Sequence, residues 1–404
     1  MRVLLVSWEY PPVIEGGLGR HVRKLAEELA SGGVQVHVLM RGGGQLPQRD
    51  IRHGVTIHRV REPPFPRDVD QFLVWVRDMN DHMAAVGLEL SGALDFDLIH
   101  SHDWLVADAA QRIALAKGLP WLVTVHATEY GRHQGWVEKH PQAEIHAAER
   151  RMVHAADGLI TCSQYMRGHV AQVFGVKPSK ITAIPNGVDP AELEPAGSRA
   201  GEPEAAELRE KFAAEDELLV LLVGRLVYEK GFHLALDALA PIVKRGRKLR
   251  FVVAGTGTAE QELKRQAKRL GLSRHGTFLG WVGDDMLHEL YRAADLCIVP
   301  SIYEPFGIVA LEAMACGCLC IVANTGGLRE VVPGDETVGL RFPARDAEAL
   351  HVLLERVLED DATRARLVRE AREYVLAFDW SEVAGRTRAV YESLSRQRSA
   401  TSTA

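Results

Sequence analysis

The chain has 404 residues, of which 47% are hydrophobic and 25% are charged. This length favours two domains, and the composition is that of a globular protein, which excludes global disorder. The formal net charge of −6 argues against a broad nucleic-acid-binding surface, which would need an excess of basic residues.

The first half of the chain alternates short apolar runs with helical patterns. Residues 3–7 predict a buried strand, and residues 18–30 carry apolar side chains at the spacing of one helix face. Further strands are expected at 34–40, 97–102, 121–125, 158–162 and 181–185. Strands that alternate with helices in this way predict a parallel sheet covered by helices.

A second α/β series follows a break in this pattern. Residues 195–207 are rich in Pro, Gly, Ala and Glu without periodicity, so they are expected to form a linker. We therefore expect an α/β protein of two doubly wound, Rossmann-like domains, residues 1–194 and 208–377, with ligands bound in a central cleft at the carboxyl ends of the strands. The strands of the second domain are predicted at 218–223, 250–254, 277–279, 296–299 and 319–323, and a final helix around 380–394.

The cysteines and the apolar runs indicate a cellular compartment. The sequence contains the cysteines Cys162, Cys297, Cys316, Cys318 and Cys320. Their spacing is not that of a disulfide framework or of a zinc site. We interpret them as small core residues in a reducing compartment, with a metal site as the weaker alternative. No apolar stretch approaches the roughly 20 residues of a membrane helix, and the N-terminus lacks a signal-peptide pattern. The sequence thus predicts a cytoplasmic protein without a membrane span.

A glycine-rich turn follows the first predicted strand. Gly16, Gly17 and Gly19 open a helix, where backbone amides could approach a phosphate, although a plain tight turn has the same pattern. A dinucleotide fingerprint would need a third glycine at the position of Val22. NAD binding is therefore disfavoured, and no cofactor is expected.

Two charged motifs follow strands of the second domain. Arg225 and Lys230 come after its first strand and could together neutralise a diphosphate, with a solvated surface pair as the alternative. Glu304 follows its fourth strand, and Glu312 lies on the next predicted helix. Gly307 places backbone amides where an anion could bind, and carboxylates accept several hydrogen bonds from sugar hydroxyls. These residues at one sheet edge predict a nucleotide-sugar site.

The first domain contributes two polar strand ends. Residues 100–104 end one strand and residues 124–127 end another, so their carboxyl ends meet at the same edge. This convergence favours a functional role over a structural one for Asp103 and His126. The Asp-Phe-Asp motif at 95–97 resembles a metal-binding DxD pattern, but it precedes its strand and is expected at the opposite edge. No metal site is predicted.

At these residues the sequence resembles retaining glycosyltransferase family four over nearly its whole length. Within that family it is most similar to bacterial α-1,4-glucosyltransferases of the glycogen-synthase and methylglucose-polysaccharide type, through residues 8–12, 102–104 and 126–129. Glu15 is a departure, because glycogen synthases often have a lysine before the glycine pair. The shared pattern comprises Gly16-Gly17, His126, Pro185-Asn186-Gly187-Val188-Asp189, Gly224-Arg225, Lys230-Gly231, Glu304, Glu312, Gly326-Gly327 and Phe378-Asp379-Trp380.

The resemblance implies a GT-B fold in which the C-terminal helix, residues 378–395, crosses back onto the first domain. It implies that Arg225 and Lys230 hold the donor diphosphate and stabilise the leaving nucleotide, and that Glu312 binds the ribose. The transferred sugar and its phosphate would be held by Glu304 and by backbone groups of Phe306, Gly307 and Ile308. His126 would lie beside the sugar, and Asp103 would contact sugar or acceptor.

The implied reaction transfers α-glucose from a nucleotide-diphosphate glucose to an oligosaccharide or glucoside acceptor, forming α-1,4 links with retention and without a metal. A mannosyl or other hexosyltransferase on the same fold is the first alternative. A sugar-nucleotide epimerase and a nucleotide-sugar sensor without turnover are more distant ones. The expected partners are thus a nucleotide-sugar donor and a sugar acceptor, without nucleic acid.

Overall fold

A computed structural model describes residues 1–13, 16–42, 46–66, 68–189 and 203–402. The chain divides into two compact units. Unit 1 consists of Met1–Gly187 and Phe378–Ala404, and unit 2 consists of Val188–Ala377. Each unit is built around its own sheet.

Unit 1 contains an eight-stranded sheet in the order β3-β4-β2-β1-β5-β6-β7-β8, in which only β3 is antiparallel to its neighbour. Its strands are β1 (Arg2–Ser7), β2 (Gln35–Gly42), β3 (Arg49–Arg52), β4 (Val55–Arg61), β5 (Leu98–His102), β6 (Trp121–Val125), β7 (Gly158–Thr161) and β8 (Ile181–Ala183). The edge pair β3 and β4 was not predicted, because Arg49, Asp50 and Arg52 leave β3 without an apolar run. The other six strands confirm the predicted parallel series.

Six helices of unit 1 flank this sheet. They are α1 (Gly17–Ser31), α2 (Val69–Ala93), α3 (Ala107–Lys117), α4 (Glu129–Arg132), α5 (Gln142–Ala155) and α6 (Gln164–Phe174). In α1 the buried apolar residues Val22, Leu25, Ala26 and Leu29 recur at helical spacing and pack on the sheet. Burial of this one face fixes α1 against the strands and places its N-terminus at their carboxyl edge.

Unit 2 contains a six-stranded, wholly parallel sheet in the order β11-β10-β9-β12-β13-β14. Its strands are β9 (Leu218–Val223), β10 (Leu249–Ala254), β11 (Gly276–Gly280), β12 (Leu296–Val299), β13 (Leu319–Ala323) and β14 (Leu340–Phe342). The central strands β9, β12 and β13 are continuous apolar runs, because helices cover both faces of the sheet. This sheet confirms the predicted second Rossmann-like series and adds β14.

The helices of unit 2 begin inside the segment that was expected to be a linker. Residues 195–202 of that segment lie outside the described residues, whereas Pro203 opens a helix because proline is tolerated at a first helical position. The helices are α7 (Pro203–Phe212), α8 (Phe232–Lys244), α9 (Glu260–Arg269), α10 (Asp284–Ala293), α11 (Ile308–Ala315), α12 (Leu328–Val331), α13 (Ala347–Leu358) and α14 (Asp361–Tyr374).

The C-terminal helix α15 (Trp380–Ser402) belongs to unit 1. It packs against α1, and its Tyr391 and Leu394 join the core of that unit. The indole of Trp380 covers Gly187, where a Cβ would lie 2.6 Å from ring atom Cδ2. These contacts confirm that the chain returns to its first unit.

The cysteines and the apolar helices bear on two of the expectations from the sequence. All five cysteines are buried with free thiols, as expected for small core residues. Among the described residues, no helix combines the length and apolarity needed to cross a membrane.

Candidate active site

The strand order of unit 2 reverses between β9 and β12, which are neighbours in the sheet but not in the chain. The connections leaving these two strands run to opposite sides, and doubly wound sheets bind their ligands in the crevice between such loops. Arg225 and Lys230 follow β9, and Glu304 follows β12. The fold thus brings the predicted charged residues of unit 2 to one end of its sheet.

Lys230 and Glu304 form an ion pair at this point. Lys230 Nζ lies 2.7 Å from Glu304 Oε2, and the hydroxyl of Ser301 donates to the same oxygen at 3.0 Å. Both charged side chains are largely buried, so solvent screens their attraction less than it would at the surface. The pair holds a cation and a hydrogen-bond acceptor side by side, which suits a phosphate next to a sugar hydroxyl.

Arg225 lies on the same loop but is more accessible. Its side chain is 56% exposed, and its guanidinium is 3.8 Å from Glu229. An ion pair this exposed contributes little to folding. An incoming phosphate could therefore replace Glu229 as a partner at small cost to the fold.

Glycines allow the loops around this ion pair to pack without side chains between them. Gly231 has φ +68°, and a Cβ there would collide with the carbonyl oxygen of Pro300. Gly255 has φ +137°, and a Cβ there would collide with the carbonyl oxygen of Gly224. The loops after β9, β10 and β12 are thereby held close together.

Gly307 begins helix α11 next to Glu304. Its φ of +113° is a conformation that glycine adopts readily, and a Cβ would lie 2.5 Å from Leu328 Cδ2. Phe306 is buried and Ile308 is half-buried. Because the first amides of a helix have no carbonyl partner within it, this turn is suited to an anion.

Glu312 projects from the second turn of α11 and is nearly buried. Its Oε2 accepts a hydrogen bond of 3.0 Å from the hydroxyl of Tyr291, which is fully buried on α10. This bond fixes the carboxylate on the helix.

The loop after β13 also holds the backbone around Glu304 in place. The amide of Gly327 donates to the Glu304 carbonyl at 2.9 Å, and Thr325 Oγ1 donates to the Ile302 carbonyl at 3.1 Å. A Cβ on Gly327 would collide with the Pro305 carbonyl oxygen. Sequence reasoning noted the glycine pair but not Ser301 or Thr325, since a single hydroxyl residue carries no spacing signal.

In unit 1 the glycine turn is organised by a buried carboxylate. Glu9 Oε2 accepts hydrogen bonds from the amides of Gly16 at 3.0 Å and Gly19 at 3.3 Å. An anion of the protein itself therefore occupies part of the helix N-terminus that was predicted to approach a phosphate. Gly17 is the first residue of α1, and Glu15 lies outside the described residues.

Asp103 positions the loop that carries His126. Its Oδ1 accepts a hydrogen bond of 2.7 Å from the His126 amide, and the Ala127 amide also donates to the carboxylate. Asp103 has φ +58° and is nearly buried, and this burial raises its pKa to about 6. The side chain predicted to contact a sugar thus holds backbone amides.

His126 lies within a group of buried histidines at the carboxyl ends of β5 and β6. His102 Nδ1 is 3.1 Å from His126 Nε2, and His21 from α1 packs edge-on against His126 with ring centroids 4.7 Å apart. His100 is separately satisfied by Tyr391 and Thr124, each at 2.8 Å. Sequence reasoning missed His21, because nothing in its local pattern separates it from a surface helix residue.

A second buried carboxylate supports the segment after His126. Glu149 on α5 accepts a hydrogen bond of 2.8 Å from the amide of Glu129, at the start of α4. Burial raises the pKa of Glu149 to about 8, although nearby Arg132 opposes the shift. This carboxyl group is therefore largely protonated at neutral pH.

Two family descriptions match the chain. "Glycosyl transferases group 1" matches residues 204–374, and "Glycosyltransferase Family 4" matches residues 15–192. The first falls within unit 2, and the second covers most of unit 1 and ends at residue 192, just inside unit 2. Both halves of the molecule are thus recognised separately.

Individual proteins match over nearly the whole chain. A glycogen synthase of Mycobacterium tuberculosis is 38% identical over 412 residues, covering 98% of this chain and 95% of that protein. A D-inositol 3-phosphate glycosyltransferase of Acidothermus cellulolyticus is 31% identical, covering 95% and 87%. The structure of sucrose-phosphate synthase from Thermosynechococcus elongatus superposes with a TM-score of 0.82 at 27% identity, covering 97% and 98%. This likeness confirms the GT-B fold class.

Proposed function

Because the chain belongs to glycosyltransferase family 4, we propose that it transfers an α-glucosyl group from a nucleotide-diphosphate glucose to the 4-hydroxyl of an α-glucan or glucoside. The reaction breaks the bond between the anomeric carbon and the diphosphate oxygen. It forms a bond from that carbon to the acceptor oxygen on the same face, which retains the α configuration. The acceptor proton passes to the leaving phosphate oxygen.

The observation that carries this proposal is the ion pair of Lys230 with Glu304 at the strand reversal of unit 2. Lys230 and Arg225 would neutralise the charge that develops on the diphosphate as the glycosidic bond breaks. Preorganised charges act most strongly on such a developing charge, because they need not reorient during the reaction. The amides at the start of α11, beside Gly307, would add further stabilisation.

The sugar and ribose contacts are proposed from the two carboxylates. Glu304 Oε2 already lies beside Lys230 and Ser301, so a sugar hydroxyl bound at this carboxylate would be adjacent to the diphosphate cation. Glu312, fixed by Tyr291, would accept hydrogen bonds from ribose hydroxyls. In unit 1, His126 would contact the transferred sugar.

Asp103 is proposed as a positioning residue for this sugar contact. Its carboxylate accepts hydrogen bonds from the amides of His126 and Ala127 and so fixes the loop that carries His126. A carboxylate has further acceptor sites, so Asp103 would also be able to bind a hydroxyl of the sugar or acceptor. The apolar faces of the acceptor would bind aromatic surface of unit 1. Trp136 is 80% exposed and Tyr130 is 39% exposed, and aromatic faces suit the apolar faces of glucose rings.

Glucose is favoured over other sugars by the relatives. The glycogen synthase of M. tuberculosis is 38% identical over nearly the whole chain. The relative that is 31% identical is named for a different acceptor, D-inositol 3-phosphate, so an acceptor other than a glucan is an alternative. A mannosyl or other hexosyl donor is the second candidate, and epimerisation of the donor without an acceptor is a more distant one.

A donor-by-acceptor screen tests the proposal. The purified chain is incubated with UDP-glucose, ADP-glucose or GDP-mannose, each with and without maltooligosaccharides, and released nucleotide and product are separated by chromatography. We expect a glucose donor to release nucleotide only with an acceptor present, with elongation of the oligosaccharide. If GDP-mannose were the only donor consumed, the glucose assignment would be overturned. Conversion of the donor to a different sugar nucleotide in the absence of acceptor would favour the epimerase.

A further inference from the structure

Three imidazoles of unit 1 meet although they are far apart in the chain. His21 lies on α1, His102 ends β5, and His126 follows β6. One ring nitrogen from each residue lies within 4.8 Å of the other two. His21 and His102 are buried, and His126 is half-buried.

Two of these rings present a nitrogen without a partner. Nε2 of His21 and Nε2 of His102 are buried and have no hydrogen-bond partner among the described residues. Buried polar atoms are nearly always paired, so an unpaired one in a folded protein calls for an explanation. Two such atoms in one cluster point to a ligand that both could bind.

For His21, the hydrogen bond on one ring nitrogen leaves the other with a lone pair. His21 Nδ1 is 3.0 Å from the side-chain oxygen of Asn186, which only accepts hydrogen bonds. Nδ1 therefore carries the proton, and Nε2 carries the lone pair. Histidines that bind metals are oriented by an acceptor on the other ring nitrogen in the same way.

The side chains of the cluster suit a transition-metal ion. A neutral imidazole has a lone pair on one ring nitrogen, and this is the form that binds metals. An ion bound by both His102 and His126 would replace the hydrogen bond of 3.1 Å between them. Neutral imidazoles prefer Zn²⁺, Co²⁺, Ni²⁺ and Cu²⁺ over Mg²⁺ or Ca²⁺.

The separations are compatible with coordination after a small shift. Three atoms within 4.8 Å of one another are no more than about 2.8 Å from a common centre, whereas a zinc–nitrogen bond is about 2.0–2.1 Å. Each ring would move by roughly 0.7 Å or less. His126 is only partly buried, which gives the ion a route from solvent. A water would be the fourth ligand of a tetrahedral ion held by three imidazoles.

We propose that His21, His102 and His126 form a binding site for a transition-metal ion such as Zn²⁺, and that the bound ion inhibits the enzyme. The inhibitory part rests on the proposed function, in which His126 contacts the transferred sugar. A ring nitrogen of His126 that is bound to the metal cannot also form a hydrogen bond with the sugar. The ion and the sugar donor therefore compete.

Binding is tested first, without any assay of activity. The full chain is dialysed against a chelator and titrated with Co²⁺, whose visible absorption is intense in tetrahedral nitrogen sites. We expect saturation at one ion per chain, bleaching by one equivalent of Zn²⁺, and histidine nitrogen ligands by X-ray absorption spectroscopy. Absence of the tetrahedral spectrum with the folded wild type would overturn the site.

Variants then locate the ion. His21→Gln and His102→Gln should each weaken Co²⁺ binding by more than about 100-fold, and Asn186→Ala should weaken it by roughly 10–100-fold, since it only orients a ligand. His82→Gln is the matched control, because this exposed imidazole of unit 1 lies on α2. Circular dichroism checks folding, and unchanged binding in both ligand variants would contradict the assignment.

Competition is tested last. Zn²⁺ should inhibit sugar transfer by the wild type, and excess donor should raise the Zn²⁺ concentration needed. Stoichiometric Co²⁺ binding with transfer unaffected by Zn²⁺ would overturn the competition. If the chain shows no glucosyl transfer at all, the proposed function fails, while the Co²⁺ spectrum still decides the metal site.

Discussion

The candidate site residues of the two units have contrasting surroundings. In unit 2, Lys230 and Glu304 form a largely buried ion pair at 2.7 Å. In unit 1, His21, His102 and Glu149 are buried without an opposite charge of that kind, and burial drives each towards its neutral form. The ion pair of unit 2 would suit an anionic ligand, whereas the neutral groups of unit 1 would suit sugar hydroxyls or a metal ion.

The largest effect on turnover is expected when a positively charged side chain is removed from unit 2. Lys230→Ala and Arg225→Ala should each lower turnover by about 10²–10³, because each removes a preorganised stabiliser of developing charge. The effect should appear in kcat measured with saturating donor. Lys248→Ala is the control, since this lysine is 65% exposed and pairs with Asp216 at the surface. Near-normal turnover of both site variants would exclude the diphosphate role.

The backbone of the same site offers a second test. Gly307→Ala should destabilise the protein by about 1–3 kcal/mol, because φ is +113° and Leu328 blocks a Cβ. Donor KM should rise as the first turn of α11 shifts. Gly168→Ala is the control, since this glycine lies inside α6 with open space around it, and alanine there should be neutral or slightly stabilising.

Chemical denaturation measures both glycine variants. A Gly307→Ala protein with the stability and donor KM of the wild type would show that this turn tolerates a side chain. The proposed amide contact with the donor would then lose its structural basis.

The neutral character of unit 1 can be tested through Glu149. Its folded pKa of about 8 lies above the ordinary value of 4.5, so the folded protein binds more protons than the unfolded chain between these pH values. Stability must therefore fall as pH rises through that window, by up to about 1.4 kcal/mol per pH unit. Glu149→Gln cannot ionise and should lack this loss.

Unfolding free energies at pH 6 and pH 8 provide the measurement. The wild type should lose about 2 kcal/mol more than Glu149→Gln over this interval. An identical pH dependence of the two proteins would mean that Glu149 ionises normally in the fold, and that burial in unit 1 is less complete than the contacts indicate.

The smallest effect is expected from a chelator. In the proposed mechanism Lys230 and Arg225 supply the positive charge that faces the diphosphate, so removal of divalent cations should change turnover by less than about twofold. If the histidine cluster carries inhibitory Zn²⁺, the change should be an increase. Loss of turnover on chelation, with recovery on adding Mg²⁺ or Mn²⁺, would contradict the proposed stabilisation of the leaving group.

The parts of the site that were predictable are those encoded by short motifs after strands. Arg225, Lys230 and Glu304 follow apolar runs, so the topology of a parallel sheet brings them to one edge. The pairing of Glu9 with Gly16 and Gly19 was not predictable, because a glutamate after a strand has no pattern that distinguishes a ligand contact from an internal one.

Long-range packing accounts for the rest. His21 and Asn186 are 165 residues apart and meet only because α1 and the segment after β8 share the carboxyl edge of the sheet. Asp103 was singled out from its position at a strand end, and in the structure its carboxylate accepts a hydrogen bond from the backbone amide of His126. Residue type and strand position indicate that a side chain matters, whereas its partner is decided by the fold.

The central claim is that this enzyme transfers glucose with retention to a 4-hydroxyl. The most direct measurement is proton and carbon NMR of the first product formed from a nucleotide-diphosphate glucose and a maltooligosaccharide. We predict one new α-anomeric signal whose carbon is correlated across the glycosidic oxygen with C4 of the former non-reducing end. A β-anomeric signal, or an unchanged acceptor under conditions in which GDP-mannose is consumed, would contradict this account.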